Sequence, residues 1–277
     1  MAQAEGKLSR LGDLCAGDGQ RLDLLEVALT LSVLRRIEPL DLAPFRQHVA
    51  SMASDLADLV RRRGASVEAL AEVIARSYGY RGDTESYDDL QNADLARVIE
   101  RRKGLPVALS ILYLDVARRQ GWEAEGLAFP AHFLIRIGIE GARYVVDPFH
   151  DGAVRDASDL RDLLRQVMGA EAELSPQHFD SVSDRDVLLR LENNVRLRLA
   201  NREDWAGAAQ SLERMLAIAP DRPELLFEAG QLNARLDKRR AAIAAFERFL
   251  AIEGQSGDPD LRRRASSLLQ ELRRGLN

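Results

Sequence analysis

The stretch "PAHFLIRIGIEGARYVVDPF", residues 130–149, decides the fold. Two runs rich in β-branched residues, "HFLIRIGI" and "ARYVVDPF", flank Glu140-Gly141, and a two-residue loop of this kind closes a β-hairpin. With that loop Ile139 faces Ala142, Leu134 faces Asp147 and His132 faces Phe149. Side chains alternate along a strand, so His132, Leu134, Asp147 and Phe149 share one face. Phe133, Ile135, Ile137, Tyr144 and Val146 share the other. His132 and Asp147 become diagonal neighbours within reach of a hydrogen bond. An odd loop length would send them to opposite faces. A histidine oriented by an aspartate supplies two members of a nucleophile–base–orienter triad.

The third member belongs at a helix N-terminus, where the dipole favours an anionic nucleophile. "GLPVALSILY", residues 104–113, starts such a helix, with Pro106 in its first turn where the missing N–H costs nothing. Pro106, Val107, Ala108 and Leu109 carry no nucleophile. Ser110 is the first hydroxyl, one turn deeper, where serine commonly bonds its own helix backbone. Cys15 is the single cysteine. It lies in a polar N-terminal stretch with no sequence link to the His–Asp pair, and a lone thiol makes no internal disulfide. His150 and Asp151, with His132 and Asp147, have the donor types of a metal site. "DPFHDG" reads more simply as a turn after a strand, so no metal or cofactor is expected.

Around the hairpin the chain is helical on both sides. Leu24, Leu25, Val27, Ala28, Leu31 and Leu34 follow a three-to-four spacing. A second helix follows Pro44 and closes on arginines and Gly64, and Ser66 reads as the N-cap of a third. "WEAEGLAF" is a third strand, so one helix followed by three strands gives an α+β unit. Residues 1–20 read as a flexible tail with one short helix, 21–170 as the α+β domain, 171–184 as a linker and 185–277 as helix throughout. The last segment repeats. Ala208, Leu212, Leu216 and Ile218 recur 34 residues later as Ala242, Phe246, Leu250 and Ile252. That is the period of tetratricopeptide helix–turn–helix units.

The hairpin and its preceding helix resemble the core of the transglutaminase and papain-like superfamily. A closer resemblance spans almost the whole chain. It rests on "QNADLARVIERRKGLPVALSILYLDVARRQG", "GLAFPAHFLIRI", "VVDPFHDG" and "RLENNVRLRLANREDWAGAAQSLERMLAIAPDRPELLFEAGQL". Together they are similar to a bacterial family of transglutaminase-like, tetratricopeptide-containing invasion-regulator proteins. The resemblance implies an α+β domain with a small antiparallel sheet, followed by an all-α repeat domain. In that family the superfamily cysteine is usually missing, as it is here; its place falls close to Pro106, and His132 and Asp147 match the remaining pair. Ala131 stands where glycine often precedes the histidine, and Ala93 where serine often follows the asparagine of "QN". Asn92 and Asn194 match family positions and are read as capping or bridging helices.

Composition narrows the function. Hydrophobic residues make up 46% and charged residues 30%, ordinary for a globular protein. Net charge is −5, and the basic runs are short and neighboured by acids, so no nucleic-acid partner is expected. No stretch approaches a membrane span and the N-terminus is not a signal peptide, so the expected compartment is the cytoplasm. The reading is a transglutaminase-like scaffold without a nucleophilic cysteine, acting as a protein-interaction or regulatory module. A protein or peptide partner would meet the first helices of the repeats, through Asn194, Arg198, Glu228 and Asn233. The alternative is hydrolysis or acyl transfer at amide bonds, with His132 as base, Asp147 as orienter and Ser110 or an activated water as nucleophile.

Overall fold

The structure, a computed structural model, describes residues 2–17, 21–130, 132–254 and 258–274. Ala131 therefore lies outside the described residues. The chain divides into two units, one of residues 16–191 and one of residues 1–15 with 192–277.

The first unit opens with helices α2 (Leu24–Leu34), α3 (Ala43–Arg63) and α4 (Val67–Ala71), the last running on into a π-helical turn over Glu72–Ser77. α2 is capped by the Asp23 carboxylate and α4 by the Ser66 hydroxyl, which accepts from the Ala69 N–H at 3.1 Å. The two-residue strand β1 (Arg81–Gly82) pairs in parallel with β2 (Lys103–Gly104), and α5 (Leu95–Arg101) lies between them. α6 (Pro106–Arg119) is apolar almost all round, and Val107 through Leu114 are all buried. Such a helix must be surrounded, and it packs against α2, α3, α4, α5 and the sheet.

The sheet has five antiparallel strands in the order β6-β5-β4-β3-β7. These are β3 (Glu123–Leu127), β4 (Ile135–Ile139), β5 (Ala142–Asp147), β6 (Ala153–Val154) and β7 (Ser181–Val182). The β4–β5 register is the expected one: Ile139 pairs with Ala142, Ile137 with Tyr144 and Ile135 with Val146. Glu140 and Gly141 both have positive φ, 50° and 85°, which a two-residue hairpin loop with native strand twist requires. Ile135, Ile137, Ile139 and Val146 are buried on one face. Leu134 and Val145 pack on the other with Leu160 and Leu164 of α7 (Ala157–Met168), a helix held at its start by an Asp156–Asp159 capping box.

Residues 171–184, expected as a linker, instead complete this unit. They carry a 3₁₀ turn (Pro176–Phe179) and β7, which pairs with β3. They end at Asp184, whose buried carboxylate takes a two-pronged bond from Arg118, at 2.7 and 2.9 Å, and the Leu22 N–H at 2.8 Å. A two-residue strand has no alternation to reveal it.

In the second unit the short helix expected in the N-terminal stretch is present as α1 (Ala2–Leu14), and it is anchored rather than loose. Leu11 and Cys15 are buried, and α1 packs against the helix over Trp205–Ile218. The boundary between the units falls within α8 (Asp184–Asn201). Then come α9 (Trp205–Ile218), α10 (Pro223–Arg235), α11 (Arg239–Glu253) and α12 (Pro259–Arg274). α9 and α11 start 34 residues apart, as the repeat requires. Leu226, Phe227, Phe246, Phe249, Ala265 and Leu269 make the core of α10–α12. Gly230 lets α10 close on α11: a Cβ there would sit 2.5 Å from the Phe246 ring. No helix among the described residues is long and apolar enough to cross a membrane.

Candidate functional site

The hairpin delivers the expected pair. His132 Nε2 lies 2.9 Å from Asp147 Oδ1. His132 comes from the irregular segment before β4, and Asp147 ends β5. Asp147 then caps a 3₁₀ turn (Pro148–His150), its Oδ1 accepting the Phe149 N–H at 3.1 Å. The turn brings His150 back over the same carboxylate, with Nδ1 at 2.7 Å from Oδ2. Gly152, at φ 73°, donates its N–H to the Asp147 carbonyl at 3.0 Å. A Cβ at Gly152 would lie 2.8 Å from the Tyr113 hydroxyl, so α6 and this turn touch through backbone.

Arg155 is the residue that sequence reasoning missed. Its Nε and Nη2 donate to Asp147 Oδ2 at 3.2 and 2.9 Å. β5 and β6 form a second hairpin with Val146 opposite Val154 and Asp147 opposite Ala153, which sets Arg155 beside the carboxylate. The sequence signal in "DPFHDGAVR" is partial: Asp151-Gly152 is a turn pair with positive φ at both positions, but it follows the 3₁₀ turn and closes a longer loop, which a two-residue hairpin reading would set in the wrong register.

Asp147 is fully buried and carries donors on both oxygens. Burial alone would push its carboxyl up. The hydrogen bonds and charge of His132 and His150 more than reverse this and hold it well below the usual carboxylate range. Phe149 walls the pair, its ring edge-on to His132 and to Tyr87, with centroids 6.1 and 5.9 Å away. Tyr87 sits in a loop fixed by buried Asp83 and Asn92, both bonded by Arg101. Asn92 thus bridges loop and helix as expected, its amide also donating to the Ser86 carbonyl at 2.6 Å.

Ser110 is placed differently from a nucleophile. It is fully buried, and its hydroxyl donates to the Pro106 carbonyl at 2.8 Å, one turn back in its own helix. Pro106, Val107, Ala108 and Leu109 are buried too, so the start of α6 presents no reactive group. Cys15 belongs to the other unit. The Tyr113 hydroxyl has no partner among the described residues, and burial pushes its ionisation up, with Asp151 and Asp147 adding to it. His132, Asp147 and His150 offer ligand atoms that all lie within 4.8 Å of one another, and Asp151 is not among this group.

The four candidate binding residues of the repeats divide. Arg198 is buried and donates to the Asn194 side chain at 2.9 Å. Glu228 pairs with Arg196. Asn233 is buried at the edge of a hollow of about 250 Å³ between α9, α10 and α11, and its Oδ1 has no hydrogen-bond partner among the described residues. Leu212, Leu216, Leu226 and Ala245 line the same hollow, and Arg248 stands at its rim.

Residues 43–193 match the transglutaminase-like superfamily and residues 195–270 match the tetratricopeptide repeat. The chain is 32% identical over 196 residues to a UPF0162 protein of Xylella fastidiosa, covering 70% of each chain. It is 30% identical over 253 residues to a UPF0162 protein of Vibrio cholerae, covering 89% of this chain and 92% of that one. Protein SirB1 of Salmonella typhimurium is 25% identical over 187 residues, covering 66% of this chain and 69% of that one.

Proposed function

The chain belongs to the transglutaminase-like superfamily, and from that membership we propose that it works as a non-catalytic regulatory module that binds a protein or peptide through its tetratricopeptide unit. One observation carries the reading. The helix start that would hold a nucleophile holds Pro106 and buried apolar residues, and the nearest hydroxyl, Ser110, is bonded to its own backbone. An intact His–Asp pair with nothing to activate is a structural device: it ties the segment before β4 to the turn after β5.

The hollow beside Asn233 supports the binding half. It is mostly apolar, with one buried carbonyl oxygen that lacks a donor. That combination suits a peptide with an aliphatic side chain flanked by a backbone N–H. Ala244 lies exposed at the edge of the hollow, so Ala244→Trp would fill it without entering the core. Selection from a random peptide library is expected to yield a common sequence that wild type binds saturably. Ala244→Trp should weaken it tenfold or more. Recovery of no common sequence, or equal binding by the variant, would refute this use of the hollow.

A further inference from the structure

We propose that His132, Asp147 and His150 form a binding site for one divalent first-row transition ion of the zinc type. Three donors from two pieces of chain meet here: His132 from the segment before β4, and Asp147 with His150 from the end of β5 and the 3₁₀ turn that it caps. Their ligand atoms lie within 4.8 Å of one another, and no other His, Cys, Asp and Glu trio gathers this way among the described residues. A tetrahedral ion with bonds of ~2.0–2.2 Å holds its donors roughly 3.3 Å apart. His132 Nε2 and His150 Nδ1 stand 2.9 and 2.7 Å from the two Asp147 oxygens and within 4.8 Å of each other, so binding draws each ring about half an ångström off the carboxylate and the two nitrogens toward a common ion. The ion takes the place of the protons now shared between imidazole and carboxylate.

Two imidazoles and one carboxylate, with no thiolate, select borderline ions such as Zn²⁺ or Co²⁺ over Ca²⁺ and Mg²⁺, which prefer all-oxygen shells. Three protein ligands leave a fourth position to water. The entry side is His150, whose side chain is 51% exposed, while Asp147 at 0% forms the floor. Arg155 and the Phe149 N–H hold the carboxylate from behind, the role that outer hydrogen bonds play at metal centres. The Arg155 charge opposes the ion, so the site binds less tightly than a zinc centre without a neighbouring cation.

The test titrates Co²⁺ and then Zn²⁺ into the full-length, chelator-stripped chain, reading heat and the visible Co²⁺ bands. His150→Ala removes one ligand at a half-exposed position and leaves the His132–Asp147 bond in place. His178→Ala is the control, since that ring stands against Phe129 and outside the trio. Wild type and His178→Ala should bind one equivalent with four- or five-coordinate Co²⁺ bands, and His150→Ala should bind at least tenfold more weakly. Absence of saturable binding in wild type would overturn the proposal. So would binding that His150→Ala leaves unchanged.

Discussion

Asp147→Asn probes the anchoring role of the carboxylate at fixed side-chain size. Asp147 accepts from five donors: His132 and the Phe149 N–H on one oxygen, and His150 and two Arg155 nitrogens on the other. Asparagine has one accepting oxygen. Turned toward Arg155, it keeps three of the bonds but presents its NH₂ to His132 and Phe149. His132 can adopt the tautomer that accepts; the Phe149 N–H cannot. An orphaned N–H of this kind costs about 1–3 kcal/mol, and the Arg155 bonds lose their ionic part, about another 1 kcal/mol. The sum is about 3 kcal/mol, or a fall in melting temperature of roughly 6–12 °C for a unit of this size. Melting followed by circular dichroism reads it directly. A fall of less than about 2 °C would show that the carboxylate does not hold the turn.

Other consequences follow from the same contacts. Gly230→Ala drives a methyl into the buried Phe246 ring and should destabilise the helical unit by about 1–3 kcal/mol in urea; Trp205 emission in a Trp122→Phe background follows that unit. Arg214→Met removes the 2.7 Å ion pair to the fully buried Glu192 carboxylate and should destabilise the helical unit by about 3 kcal/mol by the same assay. Acid should weaken the first unit through Asp147 and Asp83. Burial pushes the Asp83 carboxyl up, but Ser86, Arg101 and Asn92 bring it well below the usual range. A carboxyl with a folded pKa below its unfolded value of about 3.9 adds stability above that value and loses it as pH falls toward the folded one. The urea midpoint should therefore hold above about pH 5 and drop progressively below pH 4, and the Asp83→Asn, Asp147→Asn double variant should flatten that drop.

The parts of the fold that were legible in the sequence have a periodic or stereochemical cause. Glu140-Gly141 sets the β4–β5 register, which brings the end of β5 and the segment before β4 together, and His132 reaches Asp147 from that segment. The 34-residue recurrence gives α9 and α11. The parts that were not legible lack a local signal. β1, β2, β6 and β7 are two residues long, too short for alternation; β6 and β7 extend the edges of β5 and β3, and β1 and β2 pair only with each other. The π-helical turn over Glu72–Ser77 has no pattern distinct from a helix. The polar stretch around α1 hides two buried anchors, Leu11 and Cys15, set among largely polar neighbours in sequence. Arg155 had only a partial signal: the loop from Pro148 to Gly152 is longer than a two-residue turn, and a two-residue reading at Asp151-Gly152 would pair His150, not Asp147, with Ala153.

The most direct test of the non-catalytic reading is amide chemistry itself. Ammonia release from glutamine peptides, hydroxylamine transfer and peptide hydrolysis would be measured for wild type and His132→Ala at equal, folded concentrations. The account predicts background rates for both. Turnover above background that disappears with His132 would contradict it, and would show that the pair still serves a nucleophile.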